Sequence, residues 1–323
     1  MKTVVAIGEA LIDFIPRQKG CNLKDNAVFE RVCGGAPANA AAAISKLGGS
    51  SRIITQLGKD GFGDYILEVL SDAGVKADSV LRTEQANTSL AFVALKEDGN
   101  REFSFYRNPG ADMLLAEEQI EPTWFEDCGA LHFCSVDLID CPMKQAHRKA
   151  ISLAKQQGAI ISFDPNIRLP LWKDHAALRQ TVLEFMACAD ILKISDEELE
   201  FITGETDIRK AAPAILAKGV QMILFSEGKK GARLLTSSFE VSVPAVPVAV
   251  FDTTGAGDAI IGAFLWGLME QGVEDISSVS YDTAKSLLTF ANSCASYSVQ
   301  SGGAISAYGT KEQVLAFMKE HNL

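Results

Sequence analysis

Six short apolar runs punctuate the chain: "TVVAIG" (3–8), "SRIITQLG" (51–58), "GALHFC" (129–134), "AIISFD" (159–164), "DILKIS" (190–195) and "QMILFS" (221–226). They are rich in β-branched and aromatic residues and apolar on both faces, the pattern of strands covered on both sides. Between them lie stretches with helical periodicity, such as 143–157 and 175–188. Strands of this kind joined by helices predict an α/β protein built on a doubly wound, mostly parallel sheet.

One segment departs from that rhythm. "TSLAFVALKEDGNREFSFYR" (88–107) reads as two strands around a turn at Asp98-Gly99. In the second arm the two-residue period puts Phe103, Phe105 and Arg107 on one face and Glu102, Ser104 and Tyr106 on the other. An edge hairpin with a solvated arginine satisfies this pattern. So does a lid that presents two rings and a guanidinium to a ligand. The strand-like region near 11–33 offers further strands for such a lid, so a small β-sheet lid is expected at about 11–33 and 88–108, growing out of a single domain over 1–323.

Composition removes several classes of function. The 323 residues are 47% hydrophobic and 22% charged, which is ordinary for a globular protein. A net charge of −11 argues against nucleic-acid and anionic-membrane partners, and it requires any anionic ligand to be held by local donors. The opening "MKTVVAIGEALIDFIP" has a short apolar run followed at once by carboxylates, so it is expected to be a first strand and not a signal peptide. The seven cysteines form no CxxC pair, which together with that opening points to reduced thiols in a cytoplasm. The four histidines lack metal-ligand spacing, and His132 reads as a strand residue with a structural partner.

Two glycine-rich segments carry candidate chemistry. "VFDTTGAGDAIIGAFLWGLMEQG" (250–272) follows a strand-like "VPVAVFD" and opens a helix at Gly255 and Gly257. Such a helix start favours phosphate, because free N–H groups and the positive end of the helix dipole point to one spot. Yet Asp258 sits there, and a carboxylate repels phosphate. The glycines alone are also compatible with a plain helix start. In "CGGAPANAAAAISKLGG" (33–49), Gly34 and Gly35 allow close approach of a ligand, and Pro37 suits a first helical turn. Asn39 there offers both a donor and an acceptor to a hydroxyl. Asp13 falls just past the first strand, where ligands of open parallel sheets bind, and is either a ligand carboxylate or a turn residue. A carboxylate, a carboxamide and glycines suit a polyol. Neither Walker-A spacing nor an early GxGxxG is present.

With these motifs the sequence resembles the ribokinase-like (PfkB) carbohydrate kinases, and within them the fructokinases. "GGAPANAAAAISKLGG" looks like the N-terminal signature of that family and "DTTGAGDAIIGAFLWGL" like its C-terminal one, while "REFSFYRNPGADMLL" and "SFDPNIRLPLW" resemble fructokinase stretches. The resemblance implies a ribokinase-like fold and the following roles. Asp258 is the catalytic base, and the N–H groups of Gly255, Ala256 and Gly257 form the anion hole for the transferring phosphoryl group. This answers the apparent conflict: the carboxylate takes the proton of the attacking hydroxyl, and the amides offset its repulsion. Sugar contacts carry over to Asp13, Gly34, Gly35 and Asn39, with Phe105 and Arg107 from the lid. Nucleotide contacts carry over to Ser226, Gly228, Gly231 and Asn292. In "SDEE" (195–198) Glu198 helps organise Mg²⁺, and Ser195 replaces the usual asparagine. A monovalent cation, K⁺, is implied beside the anion hole at Asp252 and Thr254 and the loop with Ser298, Ser301 and Gly303, where Ser306 stands in place of a frequent proline.

The expected reaction is ATP-dependent phosphorylation of fructose to fructose 6-phosphate, since phosphoryl transfer asks mainly for positioning and charge stabilisation. A 2-keto-3-deoxygluconate kinase is the same-fold alternative, with Arg168 as the partner for the acid group; "FYRNPGAD" favours fructose. An NAD-dependent oxidoreductase lacks its glycine motif, and a catalytically dead sugar-binding regulator conflicts with the intact Asp258 and glycines. Apolar rings and free strand edges on a lid also suggest a homodimer formed through the lids.

Overall fold

The computed structural model describes residues 1–18, 20–95 and 101–323, with the backbone alone at residues 95 and 101–103. The Asp98-Gly99 turn and the Phe103 side chain lie outside the described residues. β1 (Thr3–Ile7) leads into two strands of a separate sheet, β2 (Leu11–Pro16) and β3 (Phe29–Gly34), and then to α1 (Ala36–Lys46), β4 (Ser51–Gly58), α2 (Gly61–Asp72) and β5 (Val80–Thr83). β6 (Leu90–Leu95) and β7 (Arg101–Tyr106) return to the separate sheet. The chain then alternates through β8 (Cys128–Cys134), α3 (Pro142–Gln156), β9 (Ile160–Asp164), α4 (His175–Met186), β10 (Ile191–Ser195), α5 (Asp196–Thr203), α6 (Ile208–Leu216) and β11 (Met222–Ser226). An edge pair, β12 (Ala232–Leu235) and β13 (Glu240–Val243), precedes α7 (Ala256–Glu270), α8 (Tyr281–Ser298) and α9 (Lys311–Glu320).

The large sheet has nine strands in the order β13-β12-β11-β10-β9-β8-β1-β4-β5. It is parallel except at β12 and β13, which turn back as antiparallel edge strands. Every residue of β1, β4 and β8 is buried, as unbroken apolar runs require when helices cover both faces. On one face Phe133 stacks on Phe163 at 4.7 Å, with Phe185 of α4 edge-on to it. On the other face α1, α7 and α8 pack around Phe264, Leu265 and Leu288. The buried His132 shares a hydrogen bond with Ser162 at 3.0 Å. No helix among the described residues is long and apolar enough to cross a membrane.

One strand expectation fails. "VPVAVFD" (246–252) forms no ladder and is mostly exposed. Pro244 and Pro247 have no N–H to donate, so this apolar stretch cannot extend the sheet edge beyond β13.

The small sheet has the order β3-β2-β6-β7. Its inner face presents Leu11, Asp13, Ile15, Val32, Val93 and Phe105 to a cleft, alternating with outward Ile12 and Phe14. The sheet is a lid over the carboxyl ends of β1, β9 and β10, where open α/β sheets bind ligands.

Candidate active site

The cleft beneath the lid has a volume of about 730 Å³. Its floor is the head of α7. Gly255 caps that helix with φ +74, and a Cβ there would lie 2.5 Å from both Ala304 Cβ and Tyr308 Oη, so only glycine fits. The Tyr308 hydroxyl donates to the Gly255 carbonyl at 2.9 Å and fixes the turn. The first amides of α7, from Ala256 onward, have no intrahelical acceptor and face the site with the positive end of the dipole. Ala256 N–H makes a long 3.3 Å bond to Thr253 O, and Gly255 and Gly257 line the cleft directly.

Asp258 is buried in the first turn of α7, at the edge of the cleft. Burial pushes its carboxyl above the usual value, while a hydrogen bond from Asn39 and the charges of Lys193 and Arg168 pull it back. The Asn39 Nδ2–H donates to Asp258 Oδ2 at 2.8 Å. Asn39 was expected to meet a sugar hydroxyl; here one end of its carboxamide orients the carboxylate, and its Oδ1 has no hydrogen-bond partner among the described residues. Asp13 approaches from the lid: a Cβ on Gly34 would lie 2.1 Å from its Oδ2, so the carboxylate rests directly on the glycine backbone. Gly35, Phe105 and Arg168 line the same space.

Two functional groups escaped the sequence reading. Lys193, in the middle of β10, lines the cleft with a buried side chain, and its Nζ pairs with Asp164 Oδ2 at 2.8 Å. A Cβ on Gly257 would lie 3.0 Å from that Nζ, so the ammonium sits against the helix head. Its charge is held by Asp164, Glu198 and Asp258, which keep it protonated against the cost of burial. The available signal was a lone lysine in the apolar strand "DILKIS". The other is Glu9, buried at the cleft wall, where it accepts from Ala36 N–H at 3.0 Å.

Glu198 caps α5. Its Oε2 accepts from the Ser195 N–H and hydroxyl, each at 2.9 Å, and its Oε1 from Ile167 N–H at 2.7 Å. With Lys193 close by, these bonds hold the carboxyl below its usual value despite burial. Across the floor, Asp252 laces two loops: Oδ1 accepts from Thr254 N–H at 2.9 Å and its hydroxyl at 2.7 Å, and Oδ2 from Gly303 N–H at 3.0 Å. Ser301 N–H donates to Ser298 O at 3.3 Å, while the buried Ser298 hydroxyl turns back to Ala295 O.

Other expected residues lie elsewhere. Ser226, Gly228, Gly231 and Asn292 do not line the cleft; Ser226 is in register with Ser195 one strand farther out, and Asn292 donates to Pro244 O at 2.8 Å. Arg107 shares the lid face of Phe105 but does not reach the cleft surface. Its side chain is 3% exposed and paired with Asp112 at 2.6 Å and with Asp137. The expectation of a guanidinium presented to the ligand is corrected: two buried carboxylates hold it at the base of the lid.

A mostly parallel sheet thus carries a β-lid over a cleft, with the buried Asp258 carboxyl at the helix head that lines it. The chain belongs to the family described as pfkB family carbohydrate kinase, whose model matches residues 1–311. It is 41% identical to fructokinase-2 of Oryza sativa subsp. japonica over 308 residues, covering 95% of this chain and 91% of that protein. The crystal structure of fructokinase with bound ATP from Xylella fastidiosa superposes with a TM-score of 0.91 at 32% identity, covering 99% of each chain. A double mutant of fructokinase from Vibrio cholerae O395, in fructose, ADP and potassium ion bound form, gives a TM-score of 0.87 at 32% identity, covering 98% of each chain.

Replacing Arg107 by Ala would leave Asp112 and Asp137 buried without their cation. Breaking a buried pair in this way costs about 3–5 kcal/mol, so the urea midpoint of Arg107→Ala is expected to fall sharply. An unchanged midpoint would show that the guanidinium carries no structural charge balance.

Proposed function

We propose that the protein is a fructokinase, transferring the γ-phosphoryl group of ATP to the 6-hydroxyl of D-fructose. The observation that carries this reading is Asp258, held by Asn39 at the head of α7 beside Gly257 and Lys193. Asp258 accepts the hydroxyl proton as that oxygen attacks the γ-phosphorus, and the bond to the ADP oxygen breaks. The amides at Gly255, Ala256 and Gly257 stabilise the charge spread over the transferring group, and Lys193 adds a fixed cation beneath them. Asp13, with Gly34 and Gly35, receives sugar hydroxyls, and Phe105 and Arg168 close over the ring.

The nucleotide lies toward the β10–β11 edge, with Ser226, Gly228, Gly231 and Asn292 around the base and ribose. The ATP and ADP bound by the solved relatives support a nucleotide as the second substrate. Mg²⁺ offsets phosphate charge when it arrives with the nucleotide, and Glu198, ionised and at the cleft wall, suits its hydrated shell. The hard oxygen donors of Asp252, Thr254, Ser298, Ser301 and Gly303 suit K⁺, consistent with the potassium-bound relative. On the outer lid face Phe14 stacks on Phe92 at 4.6 Å, flanked by Phe29 and by Tyr106, which is 65% exposed. Such a ring cluster favours a homodimer through the lids.

ADP release measured with a panel of sugars and sugar acids tests the activity; fructose is expected to lead, and a lead by a 2-keto sugar acid would reassign the site to the acid through Arg168. Asp258→Asn should lower kcat by about 10²–10⁴-fold while fructose affinity by calorimetry changes less than about tenfold. More than about a tenth of wild-type kcat would remove Asp258 from the role of base. Exchanging K⁺ for tetramethylammonium at constant ionic strength should lower kcat, and an indifferent kcat would leave Asp252 a purely structural lace. For the dimer, sedimentation should show a two-chain species that Tyr106→Lys converts to monomer; a wild-type monomer refutes the lid contact.

A further inference from the structure

Four ionisable groups unused by the mechanism meet where the lid joins the core. Arg107 closes β7, Asp112 follows it, Asp137 lies just past β8, and Glu9 follows β1. All four are buried. Asp112 Oδ1 also accepts from the hydroxyl of Ser89, which enters β6, so the entry to and the exit from the β6–β7 part of the lid converge here. Charge does not balance, because one guanidinium faces three carboxylates. Two oxygens, Glu9 Oε2 and Asp137 Oδ2, have no hydrogen-bond partner among the described residues. A buried carboxylate oxygen left bare is costly when the group is charged, and a proton on it removes that charge.

The other oxygen of Glu9 reaches the sugar site. Oε1 accepts from Ala36 N–H at the first turn of α1. Gly35, with φ +104, passes so close that a Cβ would lie 2.3 Å from the Glu9 carbonyl. The turn that bears Gly34 beneath Asp13 is therefore clamped to Glu9.

We infer that Glu9 is a positioning residue that works as a neutral acid: with a proton on its bare Oε2 it clamps the Gly34-Gly35 edge of the sugar site through Oε1 while sitting uncharged beside the arginine-centred cluster at the base of the lid. The inference rests on the sugar-kinase reading for its functional consequence, but the proton itself can be observed without turnover. The groups around Glu9 agree with it. Burial and Asp137 push the Glu9 carboxyl well above the usual range, against the pull of Arg107, and burial with Asp112 raises Asp137 to about 7. The neighbouring thiols of Cys134 and Cys141 are both pushed up and stay neutral, so neither supplies a competing charge. Because the folded values are raised, the stabilisation is complete below the ordinary carboxylate range and is lost as pH rises through the folded values.

Glutamine keeps the shape and the donor of a protonated glutamate and cannot ionise. Glu9→Gln is therefore expected to hold the fructose KM within about threefold of wild type near pH 6, and to keep it flat up to about pH 9, where the wild-type value climbs. Its thermal midpoint should gain on wild type as pH rises. Glu9→Ala should raise fructose KM by about tenfold or more at every pH, with the KM for ATP unchanged. Infrared difference spectra of the resting proteins should show a protonated carboxylic acid band in wild type that Glu9→Gln removes. A Glu9→Gln enzyme as impaired as Glu9→Ala, a pH profile that persists in it, or no acid band lost on substitution would each overturn the inference. A wild type that releases no ADP with fructose would sink the fructokinase reading and leave the infrared and thermal tests of the proton standing.

Discussion

Everything at the active site depends on how closely α1 and α7 pack. A Cβ on Gly262 would lie 2.9 Å from both Ala40 O and Ala43 Cβ, so the two helices touch backbone to side chain with no room for one more carbon. The small residues of both helices, Ala40, Ala43, Ala259 and Ala263, are buried in that contact region. This approach brings two helix heads together. One carries Asp258 and the anion-binding amides, the other Asn39 and the glycine turn, and the 2.8 Å hydrogen bond between Asn39 and Asp258 is the result. A larger residue at 262 would separate Asp258 from Asn39 before disturbing the rest of the sheet.

The site then solves an electrostatic problem. A protein of net charge −11 must bind a polyanion in a cleft lined by Asp13, Glu198, Asp252 and Asp258. It does so with fixed local charge. The helix head supplies oriented amides, and Lys193 is held immobile by Asp164 against Gly257. Asp252 and Glu198 already have donors on both oxygens, so they shape loops as much as they repel anions. Of the remaining buried carboxylates, Asp112 and Asp137 are paired with Arg107 and do not line the cleft, and Glu9 stands at the cleft wall.

The lid is coupled to this arrangement through its base. Its inner strand positions line the cleft, whereas the end of β7 is anchored in the core by Arg107. A residue in step with the ligand-facing positions of a strand thus serves as a structural tether, because the strand has already passed the cleft rim when it reaches position 107.

Local pattern determined much of this protein. Unbroken apolar runs marked the parallel strands, because burial on both faces leaves no polar alternation. Two-residue alternation marked the lid face, and glycine spacing with Asp258 and Asn39 marked the two helix heads. These features depend on near neighbours in the chain. Tertiary structure decided what depends on distant ones. Asn39 and Asp258 are 219 positions apart, and nothing local says that the carboxamide orients the base. Lys193 reads as an anomaly in a strand until β9 places Asp164 beside it and α7 brings Gly257 over it. Arg107 reads as a ligand contact until Asp112 and Asp137 claim it. The apolar "VPVAVFD" reads as a strand until Pro247, with Pro244 just before the segment, meets a sheet edge that needs donors. In each case the side chain's chemistry was legible in the sequence, and its partner was set by packing across the fold.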